Sequence, residues 1–273
     1  MNYSAPVEVT EINYLKKFGF NNIVVSIGVF DGIHLGHRAI INRLLGVAKE
    51  YCAVPVVVTF NPHPRHFLVQ ESMLKLLRSQ KAKVELLGQL GVEAVVIVNF
   101  TEKISGMPPE QFVDYMVKDS NLKLKAICVG ENWKFGAKAR GDVNLLGQLA
   151  EKKGLKLYSV EQVFLDGILV SSTRIRKELA SANFDIAYKM LNSNYRMEGR
   201  IIKSSPKTKC VIDYGIVPHH PGNYKIDLFT NLKTMPLTIM IDKKSIEENS
   251  FGVQNADEPN IRDRETVEIF FKP

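Results

Sequence analysis

A parallel α/β sheet covered by helices, followed by a small antiparallel β domain, is the fold class this sequence predicts. Three observations predict it. The first two-thirds of the 273 residues alternate apolar strand-length runs with amphipathic stretches, the pattern of strands joined by crossover helices. The last third carries apolar runs separated by Pro, Gly and Asn, with no strong helical period between them. The length is about twice a usual domain of roughly 100–150 residues. Two domains are therefore expected, 1–185 and 186–273.

The strand runs are Ile23–Phe30, Val54–Phe60, Ala94–Phe100, Lys125–Val129 and Leu155–Val160. The first three are short and rich in Val and Ile, as strands buried on both faces are. Between them lie helix-like stretches near 37–50, 79–90, 108–118 and 142–153. Gly91 and Gly154 follow two of these, where a left-handed helix end favours glycine, and Asp142 stands where an N-cap belongs. FDIAYKMLNSNY, from Phe184, reads as a last short helix and a connector. The runs GRII, CVIDYGIV, NYKIDLF, PLTIMI and ETVEIFF then read as an antiparallel β domain of barrel type. In parallel sheets of this kind sites lie at the carboxyl ends of the strands, so the residues after each run are where chemistry is expected.

Composition excludes several classes. With 45% apolar and 24% charged residues the chain can bury a core and is neither disordered nor fibrous. Its longest apolar runs, around Ala53–Thr59 and Ala94–Val98, fall far short of the roughly 20 residues of a membrane-spanning helix. The start, MNYSAPVEVTEI, lacks a basic and apolar leader, so a soluble cytoplasmic protein is expected. Cys52, Cys128 and Cys210 suit neither a disulfide framework nor a CxxC metal site, and the first two read as core residues. The net charge of +7 is shared between both parts of the chain without a dense basic arm. Small phosphorylated anions explain it as well as nucleic acid does, and no specific nucleic-acid partner is expected.

The segment Ser26-Ile27-Gly28-Val29-Phe30-Asp31-Gly32-Ile33-His34-Leu35-Gly36-His37 runs from an apolar strand into a helix beginning near His37. Gly28, Gly32 and Gly36 permit tight turns and close approach of backbone to a ligand. A helix start presents unpaired N–H groups and a positive dipole end, which together make an anion site. His34 and His37, three apart, can both aim ring N–H donors at one phosphate chain. No third metal ligand stands at a short spacing, so they read as phosphate clamps rather than zinc ligands.

GVFDGIHLGHRAII resembles the signature of the nucleotidylyltransferase superfamily, and specifically of the bacterial riboflavin kinase/FMN adenylyltransferase proteins, or FAD synthetases. Three further stretches are similar in order and spacing. Val58-Thr59-Phe60-Asn61-Pro62-His63-Pro64-Arg65 resembles the family's TFxPHPR, Val129-Gly130-Glu131-Asn132-Trp133-Lys134-Phe135-Gly136 its VGxxFxFG, and Ser171-Ser172-Thr173-Arg174-Ile175-Arg176 its SSTRIR. The resemblance implies a Rossmann-like nucleotidylyltransferase domain that transfers AMP from MgATP to FMN, giving FAD and pyrophosphate. It implies ATP binding by Gly28, Phe30, Asp31, Gly32, His34, His37, Ser172, Thr173 and Arg176, with His34, His37 and Arg176 catalytic. It implies flavin contacts from Phe60, Asn61, His63, Arg65, Asn132 and Phe135. Mg²⁺ is expected to be held chiefly by ATP, with no protein ligand named.

Plainer structural readings stand beside these. Pro62 and Pro64 alone would stiffen a turn, and Trp133 beside Phe135 could pack in the core rather than against a flavin ring. Ser171 and Ser172 could simply open a helix, yet two arginines and a lysine close behind oppose the helix dipole, so a compensating anion is expected there.

The resemblance fails after Gly199. The stretch Gly199-Arg200-Ile201-Ile202-Lys203-Ser204-Ser205-Pro206-Lys207-Thr208-Lys209-Cys210 lacks the PTAN motif of the family's flavokinase barrel, and the sequence ends at Pro273 where the family continues. The β domain therefore looks like a shortened, degenerate riboflavin-kinase-like module, silent toward riboflavin. Transfer to another phosphorylated acceptor, or flavin or nucleotide sensing without turnover, remain alternatives at the level of sequence.

Overall fold

The structure, a computed structural model, describes residues 5–65, 74–117, 122–204, 207–230, 234–253 and 262–271. By its contacts the chain divides into two compact units: Met1–Leu74 with Gln80–Phe164, and Lys75–Ser79 with Leu165–Pro273.

The first unit is a six-stranded sheet built from β1 (Val7–Val9), β2 (Asn22–Ile27), β3 (Val54–Asn61), β4 (Ala94–Asn99), β5 (Lys123–Gly130) and β6 (Lys156–Val160). Every pairing is parallel, in the order β1-β4-β3-β2-β5-β6. The order reverses direction at β2, so the chain winds outward to both sides. Both faces are covered, which explains the unbroken apolar runs. On one face the helix Leu35–Glu50 buries Ile41, Leu44, Val47 and Ala48 against Val24, Val57, Val95 and Ala126. On the other, the helices Pro109–Val117 and Val143–Lys152 bury Phe112, Val113, Met116, Leu146 and Leu149 against Ile23, Val25, Val56 and Ile127. Asp142 caps its helix as expected, its carboxylate accepting the Leu145 N–H at 3.0 Å. Gly91 and Gly154 take the left-handed backbone, at φ 98° and 68°.

The second unit holds a curled, six-stranded antiparallel half-barrel sheet. Its strands are β9 (Arg196–Ser204), β10 (Lys207–Tyr214), β11 (Gly222–Phe229), β12 (Thr234–Ile241), β13 (Ser250–Gly252) and β14 (Thr266–Phe271). They run in the order β12-β11-β14-β9-β10-β13. A two-residue hairpin, β7 (Phe164–Leu165) with β8 (Ile168–Leu169), precedes them. The helices Ser172–Ala180 and Phe184–Leu191 also belong to this unit, and Phe184 stacks on Phe271 of β14 with centroids 4.5 Å apart. The 185/186 boundary drawn from sequence divides by motif and composition; this division is one of contact.

Some elements differ from the sequence reading. The run Ile23–Phe30 stops being a strand at Ile27, because Phe30 has left-handed backbone and cannot continue a ladder. A six-residue helix, Lys243–Glu248, capped by Asp242 and too short to show a period, interrupts the β-rich segment. Cys52 is exposed, not a core residue: it sits just beyond the Leu35–Glu50 helix at φ 46°, where the chain turns outward. Cys128 and Cys210 are buried, and burial pushes both thiols up to about 12.

Candidate active site

Three of the expected loops leave the carboxyl ends of neighbouring strands, β3, β2 and β5. The parallel order brings them to one edge of the first unit. They follow Asn61, Ile27 and Gly130.

The turn after β2 is the most constrained. The Gly28 N–H donates to the Val58 carbonyl at 3.0 Å, and a Cβ at Gly28 would come within 3.0 Å of the Phe30 ring. Phe30, Gly32 and Ile33 have φ of 53°, 88° and 47°. Left-handed backbone costs an L-residue roughly 1–2 kcal/mol, whereas full burial of a Phe or Ile side chain contributes roughly 1.5–3 kcal/mol. Both side chains are fully buried, so the turn is anchored by its own apolar residues. Of the three glycines singled out from sequence, only Gly32 uses left-handed freedom; Gly36 lies inside the first helical turn.

The helix starts at Leu35, two residues before the sequence reading, with His34 as its N-cap. His34 Nδ1 accepts the His37 backbone N–H at 3.3 Å, so its ring proton resides on Nε2. The two imidazoles stack at 3.7 Å between centroids, and the Phe30 ring meets His37 edge-on at 5.3 Å. Burial, with added repulsion from His34 and Lys83, holds His37 well below the usual histidine range. His37 is thus set to act as a neutral donor. His37 Nδ1 is buried without a hydrogen-bond partner among the described residues.

Beneath this turn lies a residue absent from the sequence candidates. Lys83, on the helix Gln80–Gln89, is 5% exposed, and its Nζ donates to the Val29 carbonyl at 3.0 Å and to Thr59 Oγ1 at 3.4 Å. Thr59 Oγ1 itself donates to the same carbonyl at 3.0 Å. Burial lowers the Lys83 ammonium to about 8 against the opposing pull of buried Asp31. A sequence signal for it exists: Lys83 stands four residues before Leu87 on a helix whose buried positions are otherwise apolar or glycine.

The second loop places Phe60 in the core, its ring edge-on to Phe100 at 5.7 Å. Asn61 and Arg65 are exposed, and His63 Nδ1 accepts the Arg65 N–H at 3.0 Å. After β5, Asn132 is exposed, while Trp133 and Phe135 stack on each other at 4.8 Å and both approach Phe112. The aromatic pair is therefore packed against the core.

Ser172, Thr173 and Arg176 belong to the second unit, on the helix Ser172–Ala180. Ser171 caps it, accepting the Arg174 N–H at 3.2 Å. The expectation that its cations require an outside anion is corrected for one of them: Arg174 pairs with Glu178 one turn on, and Glu178 is buried. Arg176 Nε donates to the Lys75 carbonyl at 2.8 Å. Among the described residues no group of three or more His, Cys, Asp or Glu could hold a metal ion, and no helix is long and apolar enough to cross a membrane.

Residues 18–174 match the family described as FAD synthetase. The chain belongs to that family. Curated relatives within it include bifunctional riboflavin kinase/FMN adenylyltransferases. That of Pseudomonas fluorescens is 34% identical over 66% of this chain and 57% of its own length. That of Buchnera aphidicola from Schizaphis graminum is 30% identical over 70% and 61%. The chain thus spans about three-fifths of the relatives it matches. A crystal structure described as a macrolide-efflux protein from Streptococcus pneumoniae superposes with a TM-score of 0.79, covering 97% of this chain and 89% of that one. At 22% identity that likeness shows the fold. The match to the FAD synthetase family takes in the whole β2 turn, both histidines and Lys83.

The His37 environment has a pH signature. Its folded pKa lies below the unfolded value of about 6.5, so between the two the unfolded chain binds more protons and stability rises with pH. Stability of the first unit should fall as pH drops from about 6.5 toward 5, and His37→Gln should flatten that slope. Chemical denaturation across this range checks it; identical slopes would place His37 in an unshifted environment.

Proposed function

We propose that this protein is an FMN adenylyltransferase, carrying AMP from MgATP to FMN to give FAD and pyrophosphate. The observation that carries the reading is the stacked His34/His37 pair at a helix start, on a strained turn, in a chain of the FAD synthetase family. In this reading residues 1–185 form the adenylyltransferase module and 186–273 a degenerate kinase-like one.

The reaction suits such a site. The FMN phosphate, already an anion, attacks the α-phosphorus in line; a new P–O bond forms, and the bond to the bridging oxygen breaks with its electrons leaving on pyrophosphate. No strong base is needed, and catalysis is positioning plus stabilisation of developing charge. Gly28, Phe30, Asp31 and Gly32 shape the turn that receives the nucleotide, and the histidines donate to its phosphates. Ser172, Thr173 and Arg176 hold the triphosphate. Phe60, Asn61, His63, Arg65, Asn132 and Phe135 form the flavin side. Magnesium arrives on the nucleotide as part of the substrate.

Incubation of the purified chain with FMN and MgATP should yield FAD and pyrophosphate, separable by chromatography; their absence would refute the reading. His34→Ala or His37→Ala should each lower turnover by roughly 10²-fold, as for loss of one preorganised donor, with circular dichroism unchanged. Full turnover in the double variant would remove both from the mechanism.

Arg176→Ala should weaken MgATP binding more than FMN binding, and Arg176→Lys should restore it only in part, because an ammonium cannot reproduce a planar fork. Equal losses for both substrates in titrations would assign Arg176 a structural role, through its bond to Lys75.

Riboflavin supplied with MgATP alone should give neither FMN nor FAD. The stretch after Gly199 lacks PTAN, and phosphoryl transfer needs a loop that cradles phosphate and metal. FMN formation at a rate near that of FAD synthesis would overturn this.

A further inference from the structure

A buried lysine is costly, since its charge loses hydration that few hydrogen bonds replace. Lys83 spends two donors on one place: the Val29 carbonyl, and the Thr59 hydroxyl that donates to that same carbonyl. Val29 immediately precedes the left-handed residues Phe30, Gly32 and Ile33. From there the chain passes to His34, the N-cap, and His37. We propose that Lys83 is a positioning residue for the nucleotide: its ammonium fixes the Val29 carbonyl, and through it the turn and the histidine pair that receive the triphosphate. The proposal rests on the adenylyltransferase reading for its substrate, and MgATP binding tests it separately from turnover.

An apolar residue of similar length would pack in the same space without the charge. If Lys83 served only the fold, such a residue would hold stability and leave nucleotide handling alone. The groups bearing on it are Asp31, which favours its charged form, and His37, whose own protonation it opposes. Its hydrogen-bond partners among the described residues are the Val29 carbonyl and Thr59 Oγ1. With its pKa lowered to about 8 by burial, Lys83 loses its charge above that pH. The clamp should then weaken on the alkaline side, in a range where an arginine would stay charged.

The test uses the full chain. MgATP is titrated against wild type, Lys83→Met and Lys83→Arg from pH 6.5 to 9.5, and kcat/KM for ATP is measured with FMN over the same range. Lys83→Met should weaken MgATP binding and lower kcat/KM by roughly tenfold or more, the scale of a lost preorganised charge, with no fall in melting temperature. In wild type both quantities should decline above pH 8, and in Lys83→Arg that limb should vanish. Should Lys83→Met fail to fold, the wild-type limb and its loss in Lys83→Arg decide alone. Wild-type affinity in Lys83→Met, a flat wild-type profile, or a limb that persists in Lys83→Arg would each overturn the proposal. MgATP binding with this pattern but no FAD formed would uphold Lys83 and refute the FMN reading.

Discussion

One peptide, between Val29 and Phe30, ties together the edge of the sheet where the loops converge. Its carbonyl takes the Thr59 hydroxyl from β3 and the Lys83 ammonium from the following helix. One residue earlier, the Gly28 N–H reaches the Val58 carbonyl, extending the β2–β3 pairing past the strand's end. These bonds hold a backbone that local preference opposes at Phe30 and Ile33. Strain of this kind persists where surroundings over-determine the chain, and here those surroundings are a fully paired sheet edge and two buried side chains. The position of the histidines therefore depends on the core on both faces of β2 and β3, not on the loop alone.

Much of this architecture is legible in the sequence because its causes are local. Alternating apolar runs and capped helices locate β2 to β6 to within a residue or two at most ends, and the glycines at 91 and 154 do sit in left-handed caps. Errors arise where cause is non-local. Nothing in the letters of Val29 and Phe30 says that an apolar run has left its strand, and the Val29 carbonyl there takes a hydroxyl from Thr59, thirty residues on. Cys52 looks like a core residue among apolar neighbours, yet the helix end turns it outward. Lys83 is hidden for the opposite reason: lysine on a helix is presumed solvated, and its spacing from Leu87 on the buried face is the one local sign against that.

Charge shows the same limit. Basic residues near a helix start read as a demand for an external anion. In the helix Ser172–Ala180, Glu178 meets Arg174 within the element, and Asn183 donates to the same carboxylate at 2.7 Å. Part of the positive charge is thus balanced by the fold itself. The histidine pair differs in kind. Burial holds His37 well below the usual histidine range, so that ring offers a donor without adding charge, and the buried Lys83 ammonium adds positive potential under the turn.

Chain order links the two compact units in a way that motif order conceals. The short segment Lys75–Ser79 belongs by contact to the second unit, although it lies between the loop after β3 and the helix that carries Lys83. There Leu76 accepts the Gly215 N–H, Arg78 reaches Ser193 Oγ at 2.8 Å, and Ser79 donates to Glu198 at 2.8 Å. The Lys75 side chain bonds Asn249, and its carbonyl takes Arg176. Helix Gln80–Gln89 begins at the next residue, and Lys83 follows within its first turn. Four of these five residues, Lys75, Leu76, Arg78 and Ser79, thus bond to the β-rich unit. The second unit thus contributes, by contact, the short segment that leads directly into the helix carrying Lys83.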